Sequence, residues 1–203
     1  IWLYIDGDGI QDACEPGIPG VTVELYDGSC TIGSTCPTQV TNSIGQYTFS
    51  GLLDDAYTVI VRSATLPGGL TQTGDPDGCP GAGCDNQHQV TIGPGDVNKP
   101  YWMADFGYQG NVSIGDFVWN DINRDGVQDG GAEVGLNGVT VTLTWAGLDN
   151  TLATTADNIT LTKITAGGGA YLFSGLPAGT YRVDLDENSL PSGLTLTTTD
   201  PLT

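Results

Sequence analysis

The chain is written twice over. Sliding it along itself pairs Trp2 with Trp119, Gly20-Val-Thr-Val23 with Gly138-Val-Thr-Val141 and Phe49-Ser-Gly-Leu52 with Phe173-Ser-Gly-Leu176. Further on, Tyr57 pairs with Tyr181, Leu66-Pro67 with Leu190-Pro191, and Gly69-Leu-Thr71 with Gly193-Leu-Thr195. The separation widens along the chain from 117 to 124 residues, as it must when loops differ in length while strands match. A tandem repeat of about 120 residues follows. Within each copy the apolar residues alternate: Val21, Val23 and Leu25 against Thr22, Glu24 and Tyr26; Tyr57, Val59 and Val61 against Thr58, Ile60 and Arg62; Val139, Val141 and Leu143 against threonines; Tyr181, Val183 and Leu185 against Arg182, Asp184 and Asp186. No window carries a helical period, and Gly, Pro, Asn and Asp break the chain at short intervals. The expectation is an all-β protein of tandem antiparallel Ig-like β-sandwiches, one face of each sheet in a core and threonines on the outer face. A length of 203 residues with 38% hydrophobic content suffices for two small cores.

Each copy carries an acidic loop broken by glycine, Asp6-Gly-Asp8-Gly-Ile-Gln-Asp12 and Asp121-Ile-Asn123-Arg-Asp125-Gly-Val-Gln-Asp129, after a tryptophan and before the Gly-Val-Thr-Val strand. Oxygen side chains at alternate positions, with glycine permitting a sharp turn among them, are what a hard divalent cation such as Ca²⁺ requires. Acid-rich turns are often only solvated turns. Recurrence at the same place in both copies favours a calcium-binding loop.

Composition narrows the function. Against 24 acidic residues stand only Arg62, Lys99, Arg124, Lys163 and Arg182, giving a net charge of −19. Phosphate-backbone binding needs clustered Lys and Arg, so nucleic acid is excluded as a partner. No stretch approaches the roughly 20 apolar residues that span a bilayer, so no membrane span is expected in this segment. Five cysteines, Cys14, Cys30, Cys36, Cys79 and Cys84, lie in the first half among Pro, Gly, Ser and Thr. Loop-stapling disulfides in an oxidising, extracellular setting are the natural reading. Proximity favours Cys30 with Cys36 and Cys79 with Cys84, chosen from 15 possible pairings, and leaves Cys14 without an assigned partner. Zinc is the weaker alternative, because the spacings are not CxxC and His88 is the single histidine.

The two copies are cut out of register. Ile114-Gly-Asp116-Phe-Val-Trp119 opens the second, whereas the first retains only Ile1-Trp2. Conversely, 36 residues separate Thr71 from Gly107, while 8 follow Thr195. The expected modules are therefore 1–110, with a truncated first strand, and 111–203, lacking a closing strand. Two explanations stay open: an excerpt from a longer array, or a strand donated by a neighbouring molecule.

On these motifs the sequence resembles the SdrD B-like domains of bacterial surface adhesins, relatives of the collagen-adhesin B-type repeats. The shared run is Ile114-Gly-Asp-Phe-Val-Trp119, the Asp121–Asp129 loop, Gly138-Val-Thr-Val-Thr-Leu143, Phe173-Ser-Gly-Leu176, Tyr181-Arg-Val183 and Leu190-Pro-Ser-Gly193, with Asp105-Phe-Gly-Tyr108 closing the first copy. The resemblance covers the whole chain. It implies a prealbumin-like, calcium-binding sandwich acting as a rigid stalk or spacer in secreted or cell-surface repeat proteins, with neighbouring repeats or copies of itself as partners. It also implies ligands at Asp121, Asn123, Asp125, the Val127 carbonyl and Asp129. The family's glutamate at loop position 12 corresponds to Glu15 in the first copy, but Glu133 falls at position 13 in the second. In the first copy Tyr4 replaces the leading aspartate, leaving Asp6, Asp8, the Ile10 carbonyl, Asp12 and Glu15. Asp75-Pro-Asp77 resembles the family's second acidic loop and is read either as a further calcium site or as a plain turn.

Catalysis is not expected. No pair of carboxylates stands out as a glycosidase pair among so many, and Cys84 with His88 lacks a group to orient the histidine. An internal Lys-Asn isopeptide bond has only Lys99 and Lys163 to draw on. Asn111-Val-Ser113 and Asn158-Ile-Thr160 match the glycosylation triplet, a weak signal alone. The competing roles are a ligand-binding adhesin module, for which Tyr101-Trp102 is the conspicuous candidate patch, an accessory domain of a secreted polysaccharide-degrading enzyme, and a self-assembling filament subunit.

Overall fold

A computed structural model describes residues 1–5, 11, 15–78, 84–96 and 104–197. Among them there is no α-helix, only single 3₁₀ turns at Ser63–Thr65 and Glu187–Ser189. No helix of the described residues is long and apolar enough to cross a membrane.

The first half places β1 (Trp2–Leu3), β2 (Thr22–Tyr26), β3 (Thr38–Val40), β4 (Asp55–Val61), β5 (Leu70–Gly74), β6 (Gln87–Ile92) and β7 (Gly107–Gly110) in two sheets, ordered β3-β2-β4-β6 and β1-β7-β5. The pairings are antiparallel except β1 with β7, which run parallel with Trp2 opposite Gly107 and Leu3 opposite Tyr108. The alternating sets meet in one core: Val21 just before β2, Val23 and Leu25 in it, Tyr57, Val59 and Val61 from β4, and Leu3 and Tyr108 from the facing sheet with Phe106 just before β7. Burying such side chains contributes roughly 1.5–3 kcal/mol each.

The second half repeats the plan with β8 (Val112–Phe117), β9 (Thr140–Trp145), β10 (Ile159–Ile164), β11 (Ala170–Leu176) and β12 (Tyr181–Leu185), in sheets β10-β9-β12 and β11-β8. Val141, Leu143, Phe173 and Leu176 form its core, with Val112, Ile114, Tyr181 and Val183 packed around them. Beyond β5, β6 and β7, which have no counterpart among the described strands of the second half, the halves differ at the stretch that precedes β4 and β12. In the second, β11 pairs with β8. The equivalent stretch 46–52 of the first carries no ladder and is held by side chains instead: Tyr47 and Phe49 pack on the core, and the Tyr47 hydroxyl donates to the Ala104 carbonyl at 2.6 Å.

The outer faces are less exposed than alternation predicts. Glu24 and Ile60, opposite one another on β2 and β4, point away from the core yet are 1% and 8% exposed. The loop closed by the Cys30–Cys36 disulfide accounts for Glu24. Gly33 in that loop donates its amide to Glu24 Oε1 at 2.6 Å, and Arg62 meets Glu24 Oε2 at 3.1 Å. A buried carboxylate needs such partners, because losing one strands an uncompensated charge. Thr144, expected on an exposed threonine face, is also buried.

The connection between halves is not a loop. Tyr108–Gly110 belongs to β7, and a single residue, Asn111, separates it from β8. The joint is close: the Ala178 amide donates to the Gly68 carbonyl at 2.8 Å, and a methyl group built on Gly110 falls 1.8 Å from the Leu176 carbonyl oxygen. Only glycine permits that approach.

Phe106, with no solvent exposure, tests the first core. Phe106→Ala should lower stability by about 3–5 kcal/mol, read as a lower urea midpoint with an unchanged slope for the transition of that half.

Candidate metal centre

Both acidic loops grow from the same neck. An isolated bridge pairs Trp2 with Gly17, and another pairs Trp119 with Gly135. Leu3 N donates to the Pro16 carbonyl at 2.8 Å, and Asn120 N to the Val134 carbonyl at 3.0 Å. Across each neck a buried glutamate accepts a backbone amide at the loop entrance: Glu15 Oε1 from Ile5 N at 2.7 Å, and Glu133 Oε1 from Ile122 N at 3.0 Å. Glu15 and Glu133 are 3% and 8% exposed. The extra residue before Glu133 therefore does not displace it. Its carboxylate also accepts from Asn123 N at 3.4 Å and Asp129 N at 2.8 Å, tying entrance and exit of the loop to one side chain.

Inside the second loop, Asx-type bonds shape the turn. Asn123 Oδ1 accepts from Asp125 N at 3.0 Å, Asp125 Oδ1 from Val127 N at 2.8 Å, and Asp121 Oδ2 from Gly126 N at 3.2 Å. Arg124 and Gly126 take left-handed backbone with φ of 63° and 76°, so glycine sits where the sequence places the sharp turn. The Asn123 side-chain amide donates to both Asp125 Oδ2 and Asp129 Oδ2, each at 3.0 Å. It is a positive dipole end between two carboxylates. Among the described residues no three His, Cys, Asp or Glu side chains converge closely enough to hold an ion in this arrangement. The oxygens are nevertheless of the right kind, and Asp121 keeps Oδ1 enclosed with no hydrogen-bond donor of good geometry. The nearby Thr197 side chain, then the Gly126, Arg124 and Asp125 amides, hold the Asp121 carboxyl below its ordinary pKa. The carboxylate is thus held anionic while Oδ1 has no well-aligned donor, an arrangement that suits a hard cation. Thr197 had no visible signal in the sequence except its position after the duplicated Gly-Leu-Thr.

Of the first loop, Asp6, Asp8, Ile10 and Asp12 lie outside the described residues; Glu15 is in place, and Tyr4, standing for the leading aspartate, is buried with its amide on the Tyr108 carbonyl at 2.6 Å. Asp75 accepts Gln72 Nε2 at 2.9 Å, and its pKa is pushed up to about 6, first by burial and then by Asp77. Asp77 is exposed and lies 3.9 Å from His88. Cys30 and Cys36 are bonded as proximity suggested. Cys84 is also in a disulfide, so it offers no thiol; Cys79 and Cys14, like Lys99 and Tyr101-Trp102, lie outside the described residues.

Fold and loops together define a tandem of β-sandwich repeat modules, each with a glutamate-closed acidic loop between its first strands. The sequence model of the SdrD B-like domain matches residues 1–98 and 112–202, and the chain belongs to that family. It is 35% identical over 197 residues to serine-aspartate repeat-containing protein F of Staphylococcus epidermidis, covering 97% of this chain and 10% of the relative. It is likewise 35% identical over 198 residues to serine-aspartate repeat-containing protein D of Staphylococcus aureus strain Newman, covering 97% of this chain and 14% of the relative. The chain thus spans a small fraction of the relatives it matches. No solved structure matches it.

Glu133→Ala removes the acceptor for three backbone amides. It should lower stability by about 1–3 kcal/mol even in chelator, seen as a lower melting temperature of the second module; an unchanged melt would mean that the loop is closed by something else.

Proposed function

We propose that this chain is a structural spacer: a pair of calcium-stabilised modules forming a stiff stretch of an extracellular, cell-surface repeat protein. The observation that carries the reading is the enclosed, unpartnered Asp121 Oδ1 on a loop whose other side chains, Asn123, Asp125, Asp129 and Glu133, also present oxygen. Ca²⁺ would supply the positive charge that the Asn123 amide now supplies only as a dipole, entering between Asp125 and Asp129 and drawing Asp121 inward. Mutual repulsion of these carboxylates would become attraction to one centre, fixing the strand that enters the loop and the strand that leaves it. Glu15 and its neck favour a second site of the same kind in the first module. Stiffness rests on the direct passage from β7 to β8 through Asn111, which leaves no tether for free rotation. The Cys30–Cys36 disulfide suits an oxidising exterior, and the relatives' membership of the serine-aspartate repeat proteins agrees with a repeat role.

Loops of this type in extracellular modules bind calcium at roughly 0.1–1 mM, so 10 mM calcium should stabilise the protein by about 1.4–2.7 kcal/mol per site. Thermal melts in calcium, magnesium and chelator measure this. Calcium should raise the midpoint above both others, and Asp125→Ala should remove most of the rise for the second module. Identical midpoints in all three conditions would refute the metal reading.

A further inference from the structure

Strand β10 lies at one edge of the sheet β10-β9-β12, and no described strand pairs with its outer side. The position belongs to the fold, since β3 holds it in the first half at the edge of β3-β2-β4-β6. Hydrogen bonds fix which groups of β10 face outward. The Thr140 carbonyl accepts Asp186 N and Ala146 N donates to the Thr180 carbonyl, both at 2.9 Å, so even-numbered residues along β9 bond toward β12. Thr165 N donates to the Val139 carbonyl at 2.9 Å, so odd-numbered residues bond toward β10. Lys163 stands opposite Val141 and Leu161 opposite Leu143. Antiparallel alternation therefore leaves the backbone N–H and C=O of Thr160, Thr162 and Ile164 pointing away from the sheet. Such a row is a ready template for another strand.

The two halves blunt this edge differently. β3 has only 3 residues; Pro37 and the Cys30–Cys36 disulfide precede it, and the chain turns away at Asn42, whose amide donates to the Gln46 carbonyl at 2.9 Å. β10 runs for 6 residues, Ile-Thr-Leu-Thr-Lys-Ile, with neither proline nor carboxylate, and Ile164 is 64% exposed. Its one charge is Lys163. That side chain is on the core-facing side of the strand, in line with buried Ile159 and half-buried Leu161 and opposite buried Val141, yet it stays exposed at the rim.

We propose that Lys163 holds the β10 edge closed to the β10 strand of a second copy of this chain. Antiparallel pairing of two such edges must set outward residues against outward residues. The registers that align at least two of them in each chain place Lys163 opposite Leu161, Lys163 or Ile159 of the second copy. Those are non-hydrogen-bonded pairs, with Cα atoms about 4.5 Å apart. The ammonium would meet an apolar side chain or its own like charge, losing water with no carboxylate to replace it. A charge on the inward side of an edge strand is a known guard against strand addition. No oxygen of either acidic loop takes part, so the proposal stands apart from the calcium reading. Net charge alone gives the opposite expectation: exchanging Lys163 for a neutral residue takes the chain from −19 to −20, which adds to general repulsion between copies.

Sedimentation velocity in 0.15 M salt, where exposed charges are screened beyond about 8 Å, tests it. Lys163→Val should self-associate at least tenfold more tightly than the wild-type chain, its mean mass rising with concentration from 21.0 kDa toward twice that value. Lys163→Thr, which extends the threonine pattern of the strand, should do the same, and an unchanged melting temperature of either dilute variant shows that the fold is intact. Lys163→Glu should associate no more than wild type, because a charge of either sign is costly to enclose there. Adding Thr162→Pro to Lys163→Val removes an outward N–H that β9 does not use, and should abolish the gain. The proposal is overturned if neither neutral variant associates more than wild type, if Lys163→Glu associates as tightly as Lys163→Val, or if Thr162→Pro leaves the gain in place.

Discussion

The run of backbone hydrogen bonds through β7, Asn111 and β8 is the constraint on which the rest depends. β7 fills the centre of the β1-β7-β5 sheet and so completes the first core, while β8 supplies the partner of β11 in the second. Because one residue separates the two ladders, neither sheet can rotate far without loosening the other. The turns at 66–69 and 175–178 then meet by geometry, and glycine at 110 is the concession that lets β7 pass beneath Leu176. Stability in each module comes from the inward alternation; the relation between modules comes from this strand.

Charge imposes the second constraint. A chain with 24 acids and 5 basic residues cannot offset its carboxylates with ion pairs. Instead it binds them to backbone amides, which carry partial positive charge and cost no side-chain entropy. Glu133 takes three amides, Asp157 takes those of Leu148 and Asp149, and Asp186 caps Asn188. Glu24, the most buried acid among the described residues, is given an arginine. Asp75, Asp121 and Asp157 each keep one oxygen enclosed and without a donor, and of these Asp121 stands on the acidic loop where the proposed divalent ion would complete the scheme.

Much of this was legible in the residues, because period-two alternation and duplication report directly on strands and on equivalent loops. Val21, Val23 and Leu25 faced inward as read, the loop glycine at 126 took the left-handed turn, and Cys30 found Cys36. What escaped reading depends on groups distant in sequence. Glu24 looked solvated because nothing local reveals that the loop carrying Gly33 folds over it. Glu133 looked misplaced by one residue, yet the loop absorbs the insertion through Gly130-Gly131 while the side chain keeps its amides. The stretch 46–52 has strand-like alternation but no strand, since alternation specifies a face and not a partner. The oxygens of the second loop were identifiable by type, whereas their present spacing around the Asn123 amide was not.

The parallel pairing of β1 with β7 has a mechanical consequence. These are the strands by which the chain enters and leaves the first module, lying side by side and held by Trp2 N to the Phe106 carbonyl at 3.0 Å and Tyr4 N to the Tyr108 carbonyl at 2.6 Å. Tension applied from the two sides pulls these neighbours past each other, loading their bonds together in shear rather than peeling them one after another. A molecule tethered at one end and tugged at the other would meet its resistance there.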